Sequence, residues 1–275
     1  MFKKTSRYSE CTVTNISAGW CGAGGNNTAT AAVGSSAYTG FDGVARSTGT
    51  YGNPSGYSGS NLGHIFAATD NFEFICHIAG QVAMTTSINN PRKDFETNVL
   101  GTFNILESAR QFSPKSLFAY SSTNKVYGDN PNKLSVRKNK LRFELTKNEY
   151  INGIDEKMSI DNCVHSFFGV SKLSADLMVQ EFGVNYGMNT VCFRAGCITG
   201  SKHSGAKLHG FLSYLVKRSI SEKKYTIIGY NGNQVRDNIH SSDLVNCFWE
   251  YYKKPKKGAV YNIGGGKKCS CSVLE

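Results

Sequence analysis

The chain has 275 residues, 40% apolar and 12% aromatic, with a formal charge of +11 at pH 7. That is the composition of a soluble globular protein with room for one large domain or two small ones. No apolar run approaches membrane-spanning length and none follows Lys3 and Lys4, so neither a membrane partner nor a secretory leader is expected, and the location read is cytoplasmic.

The charge favours anionic partners such as phosphorylated metabolites, or is simply a solvated basic surface. Its lysines are spread over 137–147, 217–224 and 253–257 rather than gathered on one helix, which argues against nucleic acid.

In chain order, residues 18–63 stand apart. They hold twelve glycines, one Asp, one Arg, a single Leu and no Lys or Glu. So few large apolar side chains do not easily offset the entropy of ordering a chain. Residues 1–63 are therefore read as an atypical, poorly ordered segment, and residues 64–275 as the folded domain. Within the first part, Asn53-Pro-Ser-Gly56-Tyr-Ser-Gly59 has the three-residue glycine spacing of a dinucleotide loop. Asn53 stands where the first glycine belongs, and Arg46–Tyr51 is a poor strand to precede it. Gly56 and Gly59 are candidates for a pyrophosphate site; chance in a glycine-rich stretch is the other reading.

From Asn71 the pattern is that of alternating strands and helices. Phe72–Ala79 reads as a buried strand. A helix over 91–112 follows, capped by Asn90 with Pro91 in its first turn, and with Phe95, Val99, Phe103 and Leu106 as its apolar face. Leu117–Tyr120 is a second strand, and 129–162 a polar surface excursion. Ser166 caps a helix to about Tyr186, with Val170, Leu173 and Leu177 inward. Asn189–Phe193 is a strand, Leu208–Ile220 a helix, Tyr225–Ile228 a strand, Ser241–Tyr252 a helix and Ala259–Ile263 a strand. This alternation predicts an α/β fold: a Rossmann-type parallel sheet with helices on both faces.

Ligands bind such sheets at the loops after the strands, which here carry Gly80-Gln81, Ser122-Thr123 and Arg194-Ala195. Lys172 lies four residues after Phe168, on the same side of its helix. The nine cysteines include no Cys-x-x-Cys pair and give no zinc framework, so no metal is expected.

Several stretches carry a family resemblance: His77-Ile-Ala-Gly-Gln-Val-Ala-Met-Thr-Thr-Ser-Ile88, Asn98-Val-Leu-Gly-Thr-Phe-Asn104, Ser121-Ser-Thr-Asn-Lys-Val-Tyr-Gly-Asp129, Gln234-Val-Arg-Asp-Asn-Ile-His240 and Tyr261-Asn-Ile-Gly-Gly265. Together and in this order they resemble the NAD-dependent epimerase/dehydratase family, extended short-chain dehydrogenase/reductases that act on nucleotide sugars. The resemblance covers 71–275. It implies bound NAD, a nucleotide sugar (a CDP-sugar in the branch most similar) and transient oxidation of a sugar carbon with hydride return to its other face. Ala79, Gly80, Gln81 and Asn98 would border the cofactor. Lys172 would hold its ribose. Thr123, with Asn124 beside it, would meet the reacting sugar hydroxyl, and Arg236 the nucleotide phosphates. A homodimer through the helices at 91–112 and 168–187 is also implied.

The chain departs from the family pattern in three ways. Phe168 stands where the family has a proton-exchanging Tyr. About seventeen residues separate Gly59 from His77, where the family has two strand–helix units. The family's final helices have no counterpart before Glu275, so the sheet domain is read as incomplete and the chain as a candidate fragment. An inactive binding protein is the alternative function. Bland readings remain beside the sharp ones: Thr123 as a loop cap, Lys172 as a surface lysine, Arg236 paired with Asp237, and Cys163 and His165 as ordinary packing groups rather than substitute bases.

Overall fold

A computed structural model describes residues 72–82, 84–147, 150–203, 205–207 and 210–275, together with the backbone of four short upstream strands. Upstream, β1 (Ala29–Ala31) pairs antiparallel with β4 (Gly49–Tyr51), and β2 (Tyr38–Thr39) with β3 (Ala45–Arg46). Gly56 and Gly59 lie outside the described residues.

The centre is a parallel sheet of β5 (Phe74–His77), β6 (Leu117–Thr123), β9 (Asn189–Ala195) and β12 (Ala259–Ile263), in the order β12-β9-β6-β5. Strand side chains alternate in direction, so each strand feeds two layers. Phe118, Tyr120 and Cys192 join Leu106, Ala175, Val179 and Phe182 on one face. Leu117, Ala119, Val191 and Phe193 join Leu244, Phe248 and Tyr251 on the other.

The first layer is built from α1 (Met84–Asn89), α2 (Pro91–Phe95), α3 (Gly101–Phe112) and α4 (Ser166–Tyr186). Asn90 caps α2 as expected, its Oδ1 accepting from the Lys93 N–H at 3.0 Å, with Pro91 in the first turn. A π-helical turn over Glu96–Leu100 joins α2 to α3. Ser166 Oγ accepts from the Gly169 N–H at 3.2 Å at the start of α4. Near the other end of α4, a Cβ on Gly183 would lie 2.4 Å from the Gly258 nitrogen, so glycine there lets the helix approach the turn before β12.

The second layer is α6 (Ser241–Lys253), whose Phe248 ring packs 4.9 Å from that of Phe193. A smaller sheet lies downstream: β10 (Cys197–Thr199) runs parallel to β11 (Arg236–His240), which pairs antiparallel with β13 (Ser270–Cys271). The excursion after β6 carries a hairpin of β7 (Val136–Lys138) and β8 (Phe143–Leu145). α5 (Phe211–Ile220) precedes β11.

Three expectations are corrected. Tyr225–Ile228 is not a strand: among the described residues no strand pairs with it, and Ile227 and Ile228 are exposed. The buried face of α2–α3 is Asp94, Asn98, Thr102, Leu106 and Ala109, whereas Phe95 and Phe103 are exposed. Likewise α4 buries Phe168, Ser171, Lys172, Ala175, Asp176, Val179 and Phe182, leaving Val170 and Leu177 exposed. In both cases hydrophobic periodicity drew in residues of the outward stripe, although Leu106 is buried as expected, because the inward stripe is polar near the carboxyl end of the sheet.

Candidate active site

The polar stripes of α2, the π-turn and α4 meet the ends of β5 and β6, and this juxtaposition defines the site. Gly80 and Gln81 follow β5. The Gln81 N–H donates to Asn98 Oδ1 at 2.8 Å, and Asn98 Nδ2 donates back to the Gln81 carbonyl at 3.1 Å. The π-turn places Asn98 here and buries it at 1% exposure; such turns recur at functional sites.

Asp94, one helical turn earlier, takes the remaining hydrogens of this corner. Its carboxylate accepts from Gln81 Nε2 and Ser87 Oγ at 2.7 Å each, and from Ser171 Oγ at 2.5 Å. Asn98 Nδ2 also reaches Ser171 Oγ at 2.9 Å. Four segments are thereby fastened together, and all the donors named are buried.

Lys172 follows Ser171 and is itself buried. Its Nζ donates to the Ser121 carbonyl at 2.8 Å and stands 4.2 Å above the centre of the Tyr120 ring. Burial pushes its ammonium down to about 8, against the attraction of the Asp176 and Asp94 carboxylates. Under the same ring, His77 stacks on Tyr120 at 5.5 Å and donates Nε2–H to Thr102 Oγ1 at 2.9 Å, since Thr102 gives its own hydrogen to the Asn98 carbonyl. Burial, then the charge of Lys172, pushes His77 down to about 3. It is a neutral ring at physiological pH.

One turn beyond Lys172, Asp176 is wholly buried. It accepts from Ser122 Oγ at 2.5 Å, from Arg194 Nε at 3.1 Å and Nη2 at 2.7 Å, and from Gln180 Nε2 at 2.7 Å. Burial works against the Arg194 charge, but Asp176 outweighs it and holds the guanidinium above its ordinary value. Arg194 Nη1 continues to Tyr127 Oη at 2.9 Å, which donates to Asn262 Oδ1 at 2.7 Å.

The residues singled out from sequence thus divide. Gly80, Gln81, Asn98 and Lys172 come together, with Ala79 half-buried beside them. Phe168 is buried one turn before Lys172, and its carbonyl lies 3.0 Å from Ser171 Oγ. Thr123 ends β6 and caps the short turn Asn124–Tyr127, accepting from the Lys125 N–H at 3.3 Å; Asn124 is exposed. Arg236 is exposed on the smaller sheet. Asp237 beside it accepts from the Gly266 N–H at 3.0 Å. Burial pushes the Cys197 thiol up while the charges of Arg236 and Lys125 oppose it, which sets the start of β11 close to the turn after Thr123. Cys163 and His165 lie 3.2 Å apart, with His165 Nε2 held by the Ile160 carbonyl at 2.8 Å. Among the described residues no three metal-ligating side chains gather, and no helix is long and apolar enough to cross a membrane.

Asp94, Ser171, His77 and Asp176 were not foreseen as site residues, whereas Arg194 lies at the carboxyl end of its strand, where the sequence reading put it. Extending the 168/172 spacing by one turn reaches Asp176, which is the one signal the sequence offered. The rest depend on contacts between distant segments.

A parallel sheet with helices on both faces, and a buried lysine beside a glycine at its carboxyl edge, is the frame of a Rossmann-type enzyme domain. The chain belongs to the NAD dependent epimerase/dehydratase family, whose model matches residues 57–264. It is 38% identical over 206 residues to CDP-paratose 2-epimerase of Salmonella typhi, covering 72% of this chain and 59% of that protein. It is 29% identical over 199 residues to dTDP-glucose 4,6-dehydratase of Escherichia coli, covering 70% and 51%. The fold is similar to that of Thermus thermophilus UDP-glucose 4-epimerase, solved in complex with NAD, at a TM-score of 0.61 and 21% identity over 79% of this chain and 63% of that one. The chain therefore spans between about half and three fifths of the length of these two curated relatives.

Proposed function

We propose that this chain binds NAD at the carboxyl edge of its parallel sheet and acts on a nucleotide sugar, a CDP-sugar being favoured, by transient oxidation of a sugar carbon. The observation that carries the reading is Lys172, buried between the Ser121 carbonyl and the Tyr120 ring beside Gly80. The corner suits a dinucleotide in two respects. A Cβ on Gly80 would lie 3.0 Å from Asn98 Oδ1 and 3.9 Å from Lys172 Nζ, so glycine keeps the approach to the lysine open. The ammonium has three hydrogens and the Ser121 carbonyl takes one, which leaves donors for ribose hydroxyls.

NAD, when bound, would supply the hydride acceptor and donor. The chain's own groups bind and orient. Lys172 would hold the ribose, Ala79, Gly80, Gln81 and Asn98 would form the border, and Gly56 and Gly59 are the candidates for the pyrophosphate. Thr123 and Asn124 meet the sugar, and Arg236 matches its phosphates with a guanidinium fork. Phe168 has no proton to exchange. Lys172 titrates near neutrality, so its Nζ is the group able to take up or release a proton there. A second copy of the chain covers the exposed apolar face of Phe95, Phe103, Val170, Leu177 and Val184.

The test incubates the purified chain with NAD⁺ and CDP-paratose or its epimer and follows the sugar by NMR. Interconversion that Lys172→Met abolishes supports the reading. Binding of NAD⁺ without turnover of any nucleotide sugar would reduce the protein to a binding module. Sedimentation should give a dimer that Val170→Glu dissociates.

A further inference from the structure

We propose that Asp176 is the positioning residue for Lys172: it fixes the end of β6 against α4 so that the Ser121 carbonyl receives the ammonium, and it places a carboxylate one helical turn from that lysine. This rests on Lys172 being the ribose-holding group proposed above.

The geometry assigns the role. Lys172 and Asp176 are one turn apart on α4 and reach consecutive residues of β6: Lys172 the carbonyl of Ser121, Asp176 the hydroxyl of Ser122. Two adjacent anchors define the strand end in position and in rotation, and Thr123 is the next residue along. Every group named against the Asp176 oxygens is a donor: Ser122 Oγ, Arg194 Nε and Nη2, and Gln180 Nε2. The side chain is thus satisfied as a carboxylate and cannot swing. Arg194 pins it from β9 and is itself braced through Tyr127 to Asn262 on β12. The placement of Lys172 therefore draws on three of the four central strands.

Five segments present titratable or charged groups to Lys172. Asp176 comes from α4, Asp94 from α2, Tyr120 from β6, His77 from β5 and Cys192 from β9. The carboxylates of Asp176 and Asp94 favour the charged lysine, and burial opposes it. His77 is held neutral, and burial keeps the Tyr120 phenol and the Cys192 thiol protonated by pushing both up. Asp176 is then the larger of two acidic supports for a lysine poised near neutrality.

The experiment incorporates ¹³C-labelled lysine biosynthetically, because the buried Lys172 amine is shielded from chemical labelling, and follows the Lys172 Cε resonance against pH. The wild type is compared with Asp176→Asn and with the double variant Asp176→Asn/Arg194→Met, which removes both members of the ion pair and so avoids stranding a buried guanidinium. NAD⁺ affinity is measured on the same samples. Lys172 should titrate about one pH unit lower in Asp176→Asn and less far down in the double variant, which removes a positive charge with the negative one; NAD⁺ should bind more weakly to both at neutral pH, with Asp176→Glu recovering the titration in part. A purely structural Asp176 would lower the melting temperature and leave the Lys172 titration where it was, and that result overturns the proposal. The two readings fail separately. A wild type that does not bind NAD⁺ contradicts the proposed function, while the titration shift still decides the role of Asp176. A wild type that binds, with variants unchanged in titration and affinity, contradicts this inference alone.

Discussion

The two faces of the central sheet are made differently. On the α6 face, Leu244, Phe248 and Tyr251 meet Leu117, Ala119, Val191 and Phe193, a contact of apolar side chains with Phe193 stacked among three aromatic rings. On the α4 face an apolar core of Phe118, Val179 and Phe182 runs up into Lys172, Asp176, Ser171, Asp94 and Asn98 at the carboxyl edge. One face is held by burial alone. The other combines burial with charges and amides that must all be satisfied at once. Stability should concentrate on the first, and sensitivity to pH, charge and cofactor on the second.

Truncation of the α6 face breaks the comparison most severely if it is right. Phe248→Ala should cost about 3–5 kcal/mol in urea unfolding and leave the Lys172 titration unchanged.

Acid should act through the α4 face. His77 is held down to about 3 by burial and then by Lys172. The unfolded chain binds more protons than the folded one between that value and the ordinary histidine range near 6.5. Stability is therefore fully present above about 6.5 and is lost as pH falls toward 3, by up to about 4 kcal/mol from this ring. His77→Gln should flatten that limb of a stability–pH profile; an unchanged profile would place the acid sensitivity elsewhere.

Lys172 gives the complementary limb. Its folded value of about 8 lies below that of an exposed lysine, so the unfolded chain binds more protons between about 8 and about 10.4. Stability from this group therefore rises with pH across that window, by about 3 kcal/mol. Lys172→Met should abolish the rise.

Asp94→Ala should cost about 2–3 kcal/mol, because the Gln81, Ser87 and Ser171 donors lose their acceptor. It should also loosen the loop at Gly80, read as faster amide exchange at Gln81. Smallest of all, Arg92→Ala removes an exposed pair with Glu96 at 3.4 Å and should change stability by less than about 0.5 kcal/mol.

The same contrast explains what was legible in the sequence. The α6 face was: Ser241–Tyr252 and Ala259–Ile263 read as a helix and a strand because their inward residues are the apolar ones. The Asn90–Pro91 start was legible from capping chemistry, and the 168/172 spacing from helix geometry. The inward faces of α2–α3 and α4 were misassigned, since Phe95, Phe103, Val170 and Leu177 form an apolar stripe that faces outward. A one-dimensional pattern records that a stripe is apolar, not whether it faces a core or another surface. Asp94 and Asp176 were missed because partners such as Ser171 and Ser122 lie 77 and 54 residues away in the chain, and a buried charge has no signature apart from its partners. The Tyr225–Ile228 segment shows the converse: strand-forming residues that pair with no strand among the described residues.

The most direct test of the central claim, that the polar corner around Lys172 is a cofactor site, is calorimetric titration of NAD⁺ into the wild-type chain and into Lys172→Met, with a thermal melt of each. The account predicts saturable binding by the wild type, weakened about tenfold or more in a variant whose melt remains cooperative. Equal affinity in the two proteins, or no binding by a cooperatively folded wild type, would contradict it.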